Sequence, residues 1–268
     1  MSGRRRRLER GLCDSCGRSG AGTPSAGLTP EDGRVNAAVA EGLANGRRKA
    51  EGYDGLVLNS GGKDSLYMLL RLRRDFPDLR PLSVSIDNGF LNELSVHNIH
   101  RVCAHCRVDF RIVEPDRNIY RSIIGYGVRN SGAVGCYRVD CMDGAIFRDL
   151  ATTLAAKERI PLIFCGHTAA QTRTILGIED CTIAPEALAR DRTDYFGIPV
   201  QTIFGAEAAH VWRGSRFEPH DIPRWVFPLE AWRPSQAEIE RFVAAQAGFA
   251  PARVKQLDRK STRLNSSH

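Results

Sequence analysis

The stretch LVLNSGGKDSLYMLLRL, Leu56 to Leu72, joins three unlike pieces. An apolar run fits a buried strand over Leu56–Asn59. An amphipathic run predicts a helix over Ser65–Phe76. Between them lie Ser60, Gly61, Gly62, Lys63, Asp64 and Ser65. A strand, a glycine-rich turn and a helix start make an anion site, because backbone N–H groups can approach a ligand and the helix dipole favours negative charge. Lys63 adds a positive charge, and Ser60 and Ser65 add hydroxyl donors. Asp64 would repel a phosphate alone and so points to Mg²⁺, which bridges carboxylate and phosphate oxygens. The order Lys-Asp-Ser departs from the Walker pattern, in which Lys is followed directly by Ser or Thr. The plain alternative is a tight turn with a serine cap, but such a turn needs neither two glycines nor Lys and Asp together.

The same strand-then-helix pattern repeats outward from this stretch. Strands are expected at 81–89, 109–115 and 160–166, with helices over 92–106, 117–124, 142–158 and 168–176. Residues 125–135 look like a glycine-rich loop. Asn36–Ala50 is expected to form a short helix, and 177–224 has no clear pattern. WVFPLEAW (225–232) predicts a short strand or turn. Ser235 followed by Glu238 marks the start of a helix over 235–249. Alternation of this kind gives an α/β fold with a parallel sheet covered on both faces. Ligands of such sheets bind beyond the carboxyl ends of the strands. Asp87 and Asn88, then Gly166 and His167, each follow a strand and are expected at the same crevice. The other reading of Asp87 and Asn88 is a turn cap. His167 either meets substrate or packs beneath the nucleotide.

S-G-G-K-D-S resembles the pyrophosphate-binding loop, S-G-G-x-D-S, of the N-type ATP pyrophosphatases, the PP-loop superfamily. The resemblance covers roughly residues 53–176. It implies a Rossmann-like, adenine nucleotide alpha-hydrolase fold. It also implies an ATP- and Mg²⁺-dependent reaction in which an acceptor oxygen is adenylated, pyrophosphate leaves, and a nitrogen or sulfur nucleophile displaces AMP. Carried onto this chain, the nucleotide site is Ser60–Ser65, Asp87, Asn88 and Gly166. Lys63, Asp64 and His167 are the catalytic candidates, and Asp64 the candidate Mg²⁺ ligand.

YDGLVLNSGGKDS, PLSVSIDNGFLNELSVHNI and IPLIFCGHTAAQT look most like the N-acetyl sugar amidotransferases of surface-polysaccharide synthesis. That family tends to begin with Cys-x-x-Cys, as at Cys13 and Cys16. This resemblance implies a nucleotide-linked N-acetyl sugar as acceptor and ammonia from a partner glutaminase. Gly166-His167 departs from the Gly-Glu-Asn often found there and is similar to the tRNA thiolases instead. In that alternative, Cys136, Cys141 and Cys181 serve an iron–sulfur cluster or sulfur transfer to a tRNA base. A nucleotide-binding module without turnover is a third reading.

Eight cysteines in a chain expected in the cytoplasm argue against disulfides. Cys13/Cys16 and Cys103/Cys106 form two C-x₂-C pairs, together the ligand set of a structural Zn²⁺ site. The other reading makes Cys103 and Cys106 packing residues near a helix end. Cys165 is expected in the core.

Of the net charge of +7, residues 1–10 carry +4 and residues 258–268 carry +2, so the body is close to neutral. A broad nucleic-acid-binding face is not expected of it. No run approaches the ~20 apolar residues of a membrane span. The N-terminus lacks the apolar core of a secretory signal. DRKSTRLNSSH (258–268) resembles translated sequencing adapter and is set aside, with the natural chain expected to continue. The expected organisation is a Cys-x-x-Cys segment and linker (1–50), a PP-loop domain (51–176), an acceptor-side part (177–257) and this tail.

Overall fold

The computed structural model describes residues 30–46, 52–130, 139–195, 197–205 and 211–247. After α1 (Pro30–Asn45) come β1 (Gly55–Leu58), α2 (Lys63–Asp75), β2 (Pro81–Ile86), α3 (Glu93–Cys106), β3 (Asp109–Val113), α4 (Arg117–Arg129), α5 (Val139–Glu158) and β4 (Leu162–Phe164). The short α6 (Ala169–Gln171) runs into a π turn, Thr172–Leu176. Then follow β5 (Thr182–Ile183), α7 (Pro185–Leu188), the hairpin β6 (Asp194–Tyr195) and β7 (Ile198–Pro199), α8 (Val200–Phe204), β8 (Arg224–Val226), α9 (Pro228–Trp232) and α10 (Gln236–Ala247).

Six strands form one sheet in the order β3-β2-β1-β4-β8-β5. All neighbours are parallel except β5, which runs antiparallel along β8. The alternation of side chains along β1 explains the layering. Leu56 and Leu58 face a core shared with Ile119 and Ile123 of α4 and Ile146 and Leu150 of α5. Val57 faces the opposite core, with Leu66 and Leu69 of α2, Ile99 of α3 and Val39 of α1. The fold is therefore α/β and Rossmann-like, with helices on both faces of a mostly parallel sheet. Its switch point lies at β1, where the chain moves to β2 on one side and returns to β4 on the other.

Three stretches differ from the sequence expectation. Helix α4 does not end before the glycines but runs through Gly125 and Gly127 to Arg129, because Ile119, Ile123 and the buried Gly127 make one stripe against the core. The helix expected over 168–176 is a single α turn followed by a π turn. The first helix is α1, and it packs on the sheet: Val35, Ala38 and Val39 lie in the core that holds Leu162 of β4 and Val226 of β8. Strands β5 and β8, from beyond residue 177, complete the same sheet as β1 to β4. Among the described residues, no helix is long and apolar enough to cross a membrane.

Candidate nucleotide site

The loop between β1 and α2 is braced from behind. Asn59 is buried. Its Oδ1 accepts from Gly61 N at 3.0 Å and lies 3.1 Å from the Ser65 hydroxyl. Its Nδ2 donates to Ser83 Oγ on β2 at 3.2 Å. From α3, Asn98 Nδ2 donates to Gly61 O at 3.1 Å. Gly61 has φ +73, a conformation that glycine adopts without penalty. A Cβ there would come 2.4 Å from Ser95 O, so the backbones of the loop and α3 touch where a side chain would stand.

Gly62 is the N-cap of α2 and supplies no side-chain cap. The first N–H groups of a 13-residue helix thus have no capping side chain, which is the arrangement that receives an anion. Lys63 and Asp64 open the helix, with Lys63 Nζ 3.8 Å from Asp64 Oδ1. Asp64 also complements the helix dipole from the first turn. The two serines divide their work differently from the sequence expectation. Ser65 is buried, and its hydroxyl turns inward to Asn59 Oδ1 and to Gly62 O at 2.9 Å. Ser60 is exposed at the loop's outer edge, 3.4 Å from Gly62 N.

Gly166 brings the end of β4 against this loop. A Cβ on Gly166 would lie 3.5 Å from Ser65 N and from Ser65 Cα. His167 follows and stacks on Phe227, with ring centroids 6.3 Å apart and planes 10° apart. Its Nδ1 is buried without a hydrogen-bond partner among the described residues. Burial pushes the imidazole down to about 4, so the ring is neutral near pH 7. Thr168 and Gln171 then cap each other: Thr168 N donates to Gln171 Oε1 at 2.9 Å, and Gln171 N to Thr168 Oγ1 at 3.4 Å.

Asp87 and Asn88 stand at the end of β2. Asp87 Oδ1 accepts from Gly89 N at 2.8 Å, and Asn88 Oδ1 from Phe90 N at 3.0 Å. Asn88 Nδ2 also donates to Asp143 Oδ2 on α5 at 3.1 Å. Together with Phe90, Arg117, Tyr120 and Arg121 they line a crevice of about 1000 Å³ at the carboxyl ends of β2 and β3. Lys63 and Asp64 do not line it. Asp87 and Asn88 thus make the turn hydrogen bonds and also line the crevice.

Cys103 and Cys106 sit in the core on α3, where burial raises their thiols to about 11 and about 12. Neither is poised as a thiolate there. Cys13 and Cys16 lie outside the described residues, so the proposed four-thiolate Zn²⁺ set is described only by half. Among the described residues, no group of three or more His, Cys, Asp or Glu is placed to hold a metal. Cys181 is buried, with its thiol raised to about 11, and Cys165 is buried in the core as expected. Cys136 is outside the described residues.

Asn59, Ser95 and Asn98 were not singled out from the sequence. Asn59 had one signal, a polar residue ending an apolar strand. Ser95 and Asn98 lie on a separate helix and carried none.

No family model matches the chain. An uncharacterized protein of Methanocaldococcus jannaschii, MJ1599, is 32% identical over 87 residues, which is 32% of this chain and 31% of that protein. The chain thus spans about a third of the length of the curated relative it matches. Among solved structures, an NH3-dependent NAD synthetase from Campylobacter jejuni aligns over 85% of this chain and 78% of its own, with TM-score 0.43 and 13% identity. The U34-tRNA thiolase NcsA from Methanococcus maripaludis, which carries a [4Fe-4S] cluster, aligns over 89% and 74%, with TM-score 0.40 and 12% identity. A glutamine-dependent NAD+ synthetase from Acinetobacter baumannii aligns over 92% and 48%, with TM-score 0.41 and 17% identity. Scores of this size carry no argument about the chemistry of this chain.

Proposed function

We propose that this chain is a PP-loop, ATP-using transferase that releases AMP and pyrophosphate. The observation that carries the reading is the loop Ser60–Ser65, held at the sheet's switch point with an uncapped helix start, Lys63 and Asp64. The acceptor oxygen would attack the α-phosphorus, and the bond between the α-phosphorus and the bridging oxygen would break. Pyrophosphate would depart into the N–H groups of α2 beside Lys63. Asp64 is the residue that would hold Mg²⁺, which supplies charge neutralisation for the departing phosphates. A nitrogen nucleophile would then take the acceptor carbon, and AMP would leave with the former acceptor oxygen. Neutral His167, beside Ser65 through Gly166, is suited to accept a hydrogen bond at this point, while the burial that holds it neutral makes it a weak base near pH 7.

The acceptor favoured here is a nucleotide-linked N-acetyl sugar, with ammonia supplied by a partner glutaminase. Its support is the joint match of three sequence motifs with the Cys-x-x-Cys of Cys13 and Cys16, and the near-neutral body. The crevice bounded by Asp87, Phe90 and Arg117 has the volume for the adenosine of the nucleotide, which leaves the acceptor to the side of residues 177–224. Sulfur transfer to a tRNA base is the second reading, favoured by Gly166-His167 and by Cys136, Cys141 and Cys181.

ATP labelled at the α-phosphate, supplied with ammonium and UDP-N-acetyl sugars, is expected to yield labelled AMP and no ADP. ADP as the main product would overturn the reading. Lys63→Ala and Asp64→Ala are each expected to slow turnover at least about tenfold, or about 1.4 kcal/mol. Anaerobic purification separates the two acceptors. A colourless protein with no retention on tRNA supports the sugar. Iron and acid-labile sulfide lost on Cys136→Ala would favour the thiolase.

A further inference from the structure

A second site is marked by an arginine whose charge the described protein does not match. On α5, Asp149 is almost fully buried and its carboxylate accepts from three groups. Arg192 Nε donates to Oδ1 at 2.8 Å and to Oδ2 at 2.9 Å, Trp212 N donates to Oδ2 at 3.1 Å, and the Tyr195 hydroxyl also donates to Oδ2. Trp212 Nε1 closes the arrangement by donating to Leu188 O at 2.8 Å. Asp149 thus pins Arg192, Tyr195 and Trp212 onto α5, and among the described residues it makes no hydrogen bond to its neighbour.

That neighbour is Arg148. Its Nε is buried with no hydrogen-bond partner, and no ion pair reaches it among the described residues. Burial, reinforced by the like charge of Arg192, pulls its guanidinium down to about 10, still protonated at neutral pH. Both arginines line a cavity of about 410 Å³, whose other walls include Ile178, Thr182, Ile183 and Leu188. Two guanidinium groups therefore stand against one carboxylate beside this cavity. A buried charge without a partner is strongly unfavourable, and a planar guanidinium is suited to carboxylate and phosphate oxygens.

We propose that this cavity binds a small oxyanion, a carboxylate or phosphate monoester. Its charged end is held by Arg148 and Arg192, and its apolar remainder lies against Ile178, Ile183 and Leu188. Thr182 also lines the cavity. Arg148 lies outside the loops that follow β1 and β4, so this site stands whether or not the chain turns over ATP.

The test is thermal unfolding of the full chain in anion-poor buffer, titrated separately with inorganic phosphate and with hexanoate, and repeated for Arg148→Met and Arg148→Lys. Wild type is expected to show a saturable rise in Tm with at least one probe. The probe that acts distinguishes a phosphate site from a carboxylate site. Arg148→Met is expected to lose that response, and Arg148→Lys to need at least tenfold more probe. Without any probe, Arg148→Met is expected to melt at or above wild type, since it removes an unmatched charge while keeping the side chain's length. Three results would overturn the site: no response in wild type, an equal response in Arg148→Met, or a lower Tm for Arg148→Met in the anion-poor buffer. The last would mean that the chain itself supplies the partner.

Discussion

Gly61 is the residue on which the loop Ser60–Ser65 turns. Its φ of +73 costs a residue with a Cβ a strained backbone, and that Cβ would stand 2.4 Å from Ser95 O and 2.8 Å from Ser95 Cα. Both contacts are backbone atoms of α3, which cannot swing aside as a side chain can. Gly61→Ala is therefore expected to destabilise the protein by about 1–3 kcal/mol and to cut AMP release more than tenfold. Gly62→Ala is the control, because Gly62 has an ordinary φ of −83 and its Cβ would meet only Ser60 Oγ, at 3.3 Å. Thermal unfolding and product release measured on both variants decide the matter, and equal behaviour would remove the close-approach argument. The two glycines look alike in the sequence, and their different roles appear only when α3 is placed against the loop. The same holds for the serines. The motif pointed to two hydroxyls for the ligand, but Ser65 spends its hydroxyl on Asn59 and Gly62. That choice depends on distances the linear order does not contain.

At the scale of elements, glycine misled where packing overrode propensity. GYGVRN reads as loop, yet α4 continues through it because Ile119, Ile123 and Gly127 form one buried stripe at helical spacing. Gly125 contributes no side chain to that stripe, and a Cβ on it would meet only the end of Arg129, at 3.1 Å from Nη1. A flexible arginine can yield by that much. Gly125→Ala is accordingly expected to stabilise the protein by about 0.5–1 kcal/mol, the helix cost of glycine relative to alanine. This would appear as a midpoint higher by roughly 1–4 °C. A lower midpoint would show that the crevice wall beside α4 needs the glycine. Elements with strong local signals were legible: β1, β2 and β3, helices α2 and α3, and the capping box of α10, where Ser235 N donates to Glu238 Oε2 at 2.6 Å. The stretch 177–224 was not. Its strands are two residues long, too short for any period to show. Its place is set by Asp149 and by the edge of β8, both distant in sequence.

At the scale of the molecule, the question is whether α1 belongs to the same cooperative unit as the sheet. Along the chain, it falls in the segment expected to precede the PP-loop domain. In space it lies flush on β4: a Cβ on Gly42 would come 2.3 Å from Leu162 Cδ2. Its ends are tied to late parts of the chain. Arg34 donates to Glu230 at 3.0 Å and to Asp180 at 3.1 Å, and Glu41 pairs with Arg224 of β8. The Arg34–Asp180 pair is exposed on both sides and contributes little by itself, whereas Glu230 and Arg224 are buried partners held by a half-exposed one. The apolar stripe does more, because Val35, Ala38 and Val39 cover Val226 and Leu229, which would otherwise meet water. Val39→Asp places a carboxylate in that contact with no cation built to receive it. The expected cost is about 3 kcal/mol or more. If α1 and the sheet unfold together, intrinsic tryptophan fluorescence and far-UV circular dichroism will report one shared transition at a lower midpoint. AMP release per folded molecule should stay unchanged, since Val39 touches none of the loops at the switch point. An unchanged main transition, or a separate early loss of helix signal, would make α1 an appended arm instead. Trp225 on β8 is buried two strands from β1, so its fluorescence follows the sheet itself and separates these outcomes.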